Sequence, residues 1–210
     1  MAEKAAAEKL VLHEDPVSGN CYKIRLTAAL LGLDLERRSY DILKGETRTP
    51  EFLAKVNANG RIPVLQIGNR FLPESNAACF YLADDSRLIP EDRFDRADML
   101  RWMFFEQYSH EPNIATLRFW LTYVGRQNLS EQQQSQLSAK HLAGEAALEL
   151  MDRHLAGQDW FVGNAPSIAD VALYPYTHVA EEGGFALGGY ANVCAWLDRV
   201  GNLPGYVTME

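Results

Sequence analysis

The sequence predicts a small α/β domain followed by an all-helical domain. Short apolar runs and helical segments alternate in the order β-α-β-α-β-β-α up to about position 84, and no strand pattern of any length follows position 93. Asp84–Arg93, with Pro90 and mixed charges, is typical of a linker. We therefore expect one domain over residues 9–84 and a second over residues 92–205.

The first domain is expected to open with a strand over Lys9–Glu14, followed by a turn at Ser18 and a helix that Gly32 ends. Its later elements are, in order, a strand over Leu35–Leu43, a short helix over Pro50–Val56, strands over Pro63–Ile67 and Arg70–Leu72, and a helix from Ser75 to Leu82. The tight turn at Gly68-Asn69 predicts a hairpin, and Ser75 predicts an N-cap for the last helix. The first two strands need a parallel crossover, which is right-handed by the general rule.

The second domain shows helical periodicity throughout. A helix over Phe94–Ser109 is apolar on most of its circumference, which predicts contacts on several sides, and Pro112 is expected to break it. The later helices are one with Ile114, Leu117, Leu121 and Val124 on one face, a long one over Glu131–Leu155, one opened by a capping box at Ser167–Asp170, and a last one with Val193, Trp196, Leu197 and Val200.

Composition and charge exclude several classes of protein. The net charge of −8 argues against nucleic acid or an anionic membrane as the main partner. No apolar run approaches the ~20 residues of a membrane span, and Met1–Lys9 lacks the apolar core of a signal peptide. The three cysteines are odd in number and widely spaced, which indicates neither a disulfide framework nor a metal cluster. A reducing cytoplasm is the expected location.

A small-ligand site is predicted where the hairpin leads into a helix at Glu74-Ser75. The N–H groups and positive dipole end of that helix would hold a carboxylate, while Glu74 could hold an ammonium group. A ligand with both groups on one carbon is an amino acid or a γ-glutamyl peptide. The alternative is that Ser75 is only a helix cap and Glu74 a solvated charge.

Pro63 supports the ligand interpretation. Proline is tolerated at the start of a strand, and the Ile62–Pro63 bond can be cis, which would turn the preceding backbone groups sideways. Ile62 would then present its N–H and C=O groups to an extended peptide. A peptide backbone at Ile62 and an amino-acid end at Glu74-Ser75 fit one ligand.

Three motifs in this order resemble the glutathione transferase superfamily. They are Gly-Arg-Ile-Pro-Val-Leu at 60–65 with Glu-Ser-Asn-Ala at 74–77, Ser-Gly-Asn-Cys-Tyr-Lys at 18–23, and Ser-Ile-Ala-Asp at 167–170. The resemblance runs from Leu10 to about Leu203. It implies a thioredoxin-like first domain and an all-helical second domain, glutathione as co-substrate without a metal, a small hydrophobic electrophile, and a homodimer.

The resemblance also implies roles in catalysis at the first turn. Family members place Tyr, Ser or Cys beside the glutathione sulfur, and Ser18 is our first choice here, with Asn20 as a supporting donor; the alternative is that Ser18 is a plain N-cap. Cys21 could form a mixed disulfide with glutathione, or be a small core residue, and no Cys-x-x-Cys motif is present. Lys23 and Arg61 could contact the carboxylates of glutathione.

The all-helical domain is expected to supply the pocket for the second substrate. Its candidates are Arg101, Tyr108, His110 and Arg118. Asp170 resembles the buried capping aspartate of the family, which supports folding. We expect a glutathione transferase that attacks a hydrophobic electrophile with a thiolate. The alternatives are a glutathione-dependent disulfide or peroxide reductase acting through Cys21 or Ser18, a glutathione-dependent isomerase, and a non-catalytic glutathione-binding stress protein.

Overall fold

The computed structural model describes residues 8–209 and divides them into two compact units. The first contains the described residues up to Asp84 and those from Val207 onward, and the second runs from Asp85 to Tyr206. Segment 85–91 therefore groups with the helical unit, whereas the predicted domain limits leave it between the domains. The expectation that Met1–Lys9 is not a signal peptide falls almost wholly outside the described residues.

The described residues of the first unit form a mixed sheet of four strands in the order β2-β1-β3-β4. The strands are β1 (Leu10–Glu14), β2 (Glu36–Ser39), β3 (Val64–Ile67) and β4 (Arg70–Pro73). β1 pairs in parallel with β2, which confirms the parallel crossover, and antiparallel with β3. β3 pairs antiparallel with β4, which confirms the hairpin. Gly68 has a φ of 57° in the hairpin turn, a conformation that glycine adopts without strain.

β2 is shorter than the strand predicted over Leu35–Leu43. It lies at the edge of the sheet, and its pairing with β1 ends at Ser39, opposite Glu14. The Asp41 carboxylate then accepts hydrogen bonds from the next backbone N–H groups and turns the chain. The apolar residues Ile42 and Leu43 are exposed beyond that turn, so their hydrophobicity did not indicate a strand.

The helices of the first unit are α1 (Gly19–Leu30), α2 (Pro50–Lys55) and α3 (Ser75–Ala83), and α1 packs against α3. The core between helices and sheet includes Leu12, Ile24, Leu65 and Ala78. The predicted N-cap at Ser75 is wrong: α3 begins at Ser75, and Glu74 is its N-cap. The Ser75 hydroxyl instead donates to Asn20 Oδ1 on α1, so it joins two helices and does not cap one.

The second unit contains α4 (Arg93–Phe105), α5 (Glu111–Arg118), α6 (Glu131–His154), α7 (Ile168–Thr177) and α8 (Ala191–Gly201). The predicted break at Pro112 is wrong, because a π-helical segment at Glu106–His110 joins α4 to α5. A proline clashes with the carbonyl four residues earlier in a regular α-helix, and the wider π turn relieves that clash. A second π-helical segment, Phe119–Gly125, follows α5.

The prediction that Phe94–Ser109 is apolar and packed on most of its circumference is also wrong in part. Met99, Trp102 and Met103 are buried on one face of α4, whereas Phe94 and Phe104 are 77% and 70% exposed. The helix therefore packs on one side of its own unit and presents aromatic side chains on another. None of the described helices combines the length and apolar character that crossing a bilayer requires.

The predicted capping box at the start of α7 is confirmed. Asp170 Oδ2 accepts from the Ser167 N–H at 2.8 Å and the Ser167 hydroxyl at 3.1 Å. Oδ1 accepts from the Phe161 N–H at 3.1 Å and from Trp196 Nε1 on α8 at 2.9 Å. Burial raises the pKa of Asp170, and these hydrogen bonds oppose that shift. One carboxylate thus joins the start of α7 to a preceding loop and to α8.

Candidate functional site

The predicted site residues of the first unit meet at one end of the sheet. His13 near the end of β1 pairs with Val64 at the start of β3, and Val64 pairs with Pro73 at the end of β4. The turn after β1, the Ile62–Pro63 peptide before β3 and Glu74 after β4 therefore leave the sheet at the same end. The register of the strands thus brings to one end of the sheet the turn, the proline and the helix start that the sequence analysis singled out.

Ser18 is the N-cap of α1. Its Oγ accepts a hydrogen bond from the Cys21 N–H at 3.4 Å, and the residue is half-buried. A hydroxyl that accepts a hydrogen bond still carries one hydrogen that it can donate. The first N–H groups of a helix have no partner within the helix, and they carry its positive dipole end. Ser18 thus combines a hydroxyl donor with a helix N-terminus.

Cys21 lies one turn inside α1 and is fully buried. Burial raises the pKa of its thiol to about 12, although a hydrogen bond with Ser18 acts in the opposite direction. At neutral pH this thiol stays protonated, and only the thiolate is an effective nucleophile. Its position favours the interpretation of Cys21 as a small core residue.

Two hydrogen bonds join the start of α1 to the start of α3. Ser75 Oγ donates to Asn20 Oδ1 at 3.4 Å, and Lys23 Nζ donates to Asn76 Oδ1 at 3.4 Å. Lys23 is 0% exposed, so its ammonium group offers no surface to a ligand. This placement does not support the predicted contact between Lys23 and a glutathione carboxylate. The lysine stem packs inside the unit, and its charged end lies against the polar N-terminus of α3.

The Ile62–Pro63 peptide bond is cis, as the sequence analysis anticipated. Arg61, just before it, is exposed, and its carbonyl accepts from Asn57 Nδ2 at 2.9 Å. Glu74 is exposed and has a φ of 71° and a ψ of 110°. A non-glycine residue in such a sparsely populated region costs about 1–3 kcal/mol and is found most often at functional sites. The backbone thus places the Glu74 carboxylate in solvent beside the N-terminus of α3.

The four residues predicted for the second substrate have different environments within the helical unit. Arg101 is exposed, donates to Asp98 and stacks over the Trp102 ring at 4.3 Å, and Tyr108 is 86% exposed. Both offer side chains to solvent. They remain candidates for contact with a substrate.

His110 and Arg118 are placed otherwise than predicted. His110 is fully buried, with Nε2 at 2.9 Å from the Thr177 hydroxyl on α7. Arg118 is 5% exposed, donates to Glu182 at 2.7 Å and donates to the Tyr123 hydroxyl at 2.8 Å. Both side chains join helices inside the unit, so their predicted role in a substrate pocket is not supported.

A buried ionic cluster beside the turn was missed by the sequence analysis. Glu14, at the end of β1, is fully buried and pairs with Arg25 on α1 and Arg37 on β2. The sequence did contain a signal for this cluster. A carboxylate at the end of a mostly apolar strand needs a partner when it is buried. Which arginine supplied the partner depended on how the strands and helices pack together.

His13 belongs to a second cluster of hydrogen-bonded polar side chains. Gln66 Oε1 is an acceptor at 3.0 Å from Nε2, so Nε2 carries the proton and Nδ1 accepts from the Tyr40 hydroxyl at 2.8 Å. Burial lowers the pKa of His13, which favours this neutral form. The described residues hold no group of three or more His, Cys, Asp or Glu side chains placed to bind a metal ion.

Comparisons with known proteins agree with this architecture. Residues 13–84 match the family model described as Glutathione S-transferase, N-terminal domain, and residues 112–204 match Glutathione S-transferase, C-terminal domain. Glutathione S-transferase 2 of Anopheles gambiae is 30% identical over 196 residues, which cover 90% of each chain. A crystal structure of a glutathione S-transferase from Pseudomonas fluorescens Pf-5 is 46% identical with a TM-score of 0.89, covering 95% of this chain and 98% of that one. A crystal structure of a possible glutathione S-transferase from Rhodopseudomonas palustris is also 46% identical, with a TM-score of 0.90 and coverage of 96% and 90%.

Proposed function

Because this chain belongs to the glutathione S-transferase family, we propose that it binds glutathione at the end of the sheet and activates its thiol to attack a small hydrophobic electrophile. The observation that carries this proposal is the contrast between two neighbours. Ser18 is half-buried with its hydroxyl at a helix N-terminus, whereas Cys21 is fully buried with a raised pKa. The hydroxyl is therefore the group that can act on a bound sulfur.

The binding mode follows from the groups at the end of the sheet. Glu74 accepts the ammonium group of the γ-glutamyl residue, and the N-terminus of α3 at Ser75 holds the carboxylate on the same carbon. The backbone of Ile62 pairs with the extended peptide, and the exposed Arg61 attracts the second carboxylate. The ligand thiol then lies at the start of α1, beside Ser18.

Activation needs a modest stabilisation of the thiolate. A thiol with a pKa of ~8.5 is mostly protonated at neutral pH, and lowering its pKa by two units requires ~2.7 kcal/mol. Two charge-assisted hydrogen bonds supply that amount. We assign one to the Ser18 hydroxyl and the other to the start of α1, where Asn20 and the helix N–H groups lie.

The reductase alternative through Cys21 is disfavoured by the same geometry. A mixed disulfide requires an accessible thiolate, and Cys21 is buried with a pKa of about 12. A non-catalytic binding protein would not need a hydroxyl beside the sulfur. We therefore favour conjugation, a chemistry that serves detoxification of electrophiles, with the reducing cytoplasm as its location.

Paired alanine variants test which neighbour activates the thiol. Ser18→Ala should lower kcat for conjugation of a chloronitrobenzene about threefold at pH 7 and about tenfold at a pH well below the pKa of the bound thiol, since it removes one of two hydrogen bonds to the thiolate. The KM for glutathione should change little, because the lost interaction is made to the reacting atom. Cys21→Ala, one turn away, should conserve kcat. Loss of turnover in Cys21→Ala together with a glutathione adduct on Cys21 in the wild type would instead establish a thiol–disulfide enzyme.

The second substrate is proposed to contact Arg101 and Tyr108. These are the two predicted pocket residues that present side chains to solvent. An aromatic ring and a guanidinium group can stack on the flat, electron-poor ring of an aromatic electrophile.

We further propose a homodimer, because the helical unit exposes large aromatic side chains on α4. Phe94 and Phe104 are each more than two-thirds exposed in the single chain, and a two-fold pair would bury one such patch against its copy. Sedimentation at micromolar concentration should give twice the monomer mass of 23.6 kDa. Phe104→Glu should shift the protein toward monomer, whereas Leu43→Glu, at an exposed apolar site of the first unit, should not. A wild-type mass near the monomer value would refute this proposal.

A further inference from the structure

The buried ionic cluster is connected directly to the turn that carries Ser18. Arg25 Nε lies 3.2 Å from Glu14 Oε2, and Arg25 Nη2 donates to the Pro16 carbonyl at 2.6 Å. One guanidinium group therefore binds both the end of β1 and the middle of the turn. Pro16 is two residues before Ser18, and Arg25 lies two helical turns after it.

The turn also contains hydrogen bonds between its own residues. The Ser18 N–H donates to the Asp15 carbonyl at 3.0 Å, and the Val17 N–H donates to Asp15 Oδ1 at 3.3 Å. These bonds are local and do not connect the turn to the rest of the unit. The bond from Arg25 to Pro16 does, because Arg25 is a buried residue of a helix that packs against the sheet and α3.

Burying these charges has a cost that the fold must offset. A buried carboxylate and a buried guanidinium group each lose several kcal/mol of hydration, which is recovered only if the geometry is good and the other hydrogen-bonding positions are filled. Arg25 Nη2 donates to a backbone carbonyl of the turn, and its Nε lies in ion-pair contact with Glu14. Because a guanidinium group presents its donors in a rigid, planar fork, its two partners are held in a fixed relation to each other.

We propose that Arg25 is a positioning residue, which holds the turn from Asp15 to Ser18 against the end of β1 and so directs the Ser18 hydroxyl at the ligand sulfur. The inference rests on the proposed function, because it assigns Arg25 an effect that acts through Ser18. Arg25 is 7% exposed, and in this proposal it acts through the turn and not directly on the reacting atoms. It orients the Ser18 hydroxyl, and the strength of the hydrogen bond to the sulfur depends on that orientation.

The test compares the two arginines that form ion pairs with the same carboxylate. Arg25→Lys retains the charge, but an ammonium group lacks the rigid fork that spans Glu14 and the Pro16 carbonyl. Arg37→Lys makes the same change on β2, where the side chain pairs with the same Glu14 carboxylate. For each variant, thermal denaturation, kcat and KM for conjugation, and the ultraviolet titration of the bound glutathione thiolate are measured beside Ser18→Ala and the wild type.

We expect Arg25→Lys to raise the pKa of bound glutathione by about one unit and to lower kcat about threefold at pH 7, with a KM for glutathione close to that of the wild type. Arg37→Lys should leave the thiol pKa unchanged even where it lowers the melting temperature. The double variant Arg25→Lys/Ser18→Ala should titrate like Ser18→Ala alone, because a residue that acts through Ser18 has no further effect once the hydroxyl is gone.

Four results would overturn the inference. An unchanged thiol pKa in Arg25→Lys, with a raised pKa in Ser18→Ala, would remove the role of Arg25 and leave the proposed function intact. Equal pKa shifts in Arg25→Lys and Arg37→Lys, or additive shifts in the double variant, would show a general structural effect of the cluster. An unchanged pKa in Ser18→Ala would refute the activation by Ser18, and the role of Arg25 with it.

Discussion

Replacing Asp170 by alanine is expected to lower the free energy of unfolding by about 3–5 kcal/mol, near the top of the range for a single substitution. The carboxylate accepts four hydrogen bonds, from the N–H and hydroxyl of Ser167, the Phe161 N–H and Trp196 Nε1. Truncation leaves these donors without their acceptor in a buried site, and each such group costs about 1–3 kcal/mol. Chemical denaturation followed by circular dichroism measures the loss.

Asp92→Ala is the matched control for Asp170→Ala. Asp92 is also an aspartate at a helix start in the second unit, where it accepts from the N–H groups of Phe94 and Asp95, but it is exposed. Water replaces the lost acceptor there, so the expected cost is ~1 kcal/mol. Similar losses for the two variants would contradict the account of Asp170 as a buried link between helices.

Glu74→Gln is expected to weaken glutathione binding by about 10- to 100-fold while leaving the melting temperature nearly unchanged. A hydrogen bond between an ammonium and a carboxylate contributes about 1.5–3 kcal/mol, and the amide keeps the size of the side chain without its charge. Glu74 is exposed, and its side chain makes no capping hydrogen bond to α3, so the fold has little need of the charge. Isothermal titration calorimetry with glutathione gives the dissociation constant.

Glu51→Gln is the control for the change of charge. Glu51 is an exposed glutamate of the same unit and pairs with Lys55 on α2, in a surface ion pair of the kind that contributes little to stability. Glu51→Gln should leave the dissociation constant for glutathione unchanged. If Glu74→Gln binds glutathione as tightly as the wild type does, the amino-acid end of the ligand does not lie at Glu74.

The elements that the sequence predicted correctly are those with local signals. A capping box at Ser167–Asp170, a tight turn at Gly68-Asn69 and a proline at the start of β3 each act within a few residues, and each is found where it was predicted. The proposed site at the end of the sheet rests on these signals together with the family resemblance. Pro112 is the counterexample, since the π turn that accommodates it depends on neighbouring helices and not on the proline alone.

The side chains whose predicted ligand contacts the structure does not support are polar. Lys23, His110 and Arg118 were predicted at ligand sites, and all three are buried against partners on other elements. Glu14 and Arg25 were missed for the same reason. Whether a charged side chain meets solvent, a ligand or a buried partner is decided by tertiary packing, and residue type and helical spacing do not record that packing.

The titration of the bound glutathione thiol tests the central claim most directly. Absorbance of the thiolate against pH, at saturating glutathione and without electrophile, gives the pKa of the reacting group itself. The account predicts a pKa about two units below the ~8.5 of a free thiol in the wild type, and a value about one unit higher in Ser18→Ala. A wild-type pKa near ~8.5, or a Ser18→Ala curve that coincides with that of the wild type, would contradict the claim that Ser18 activates glutathione.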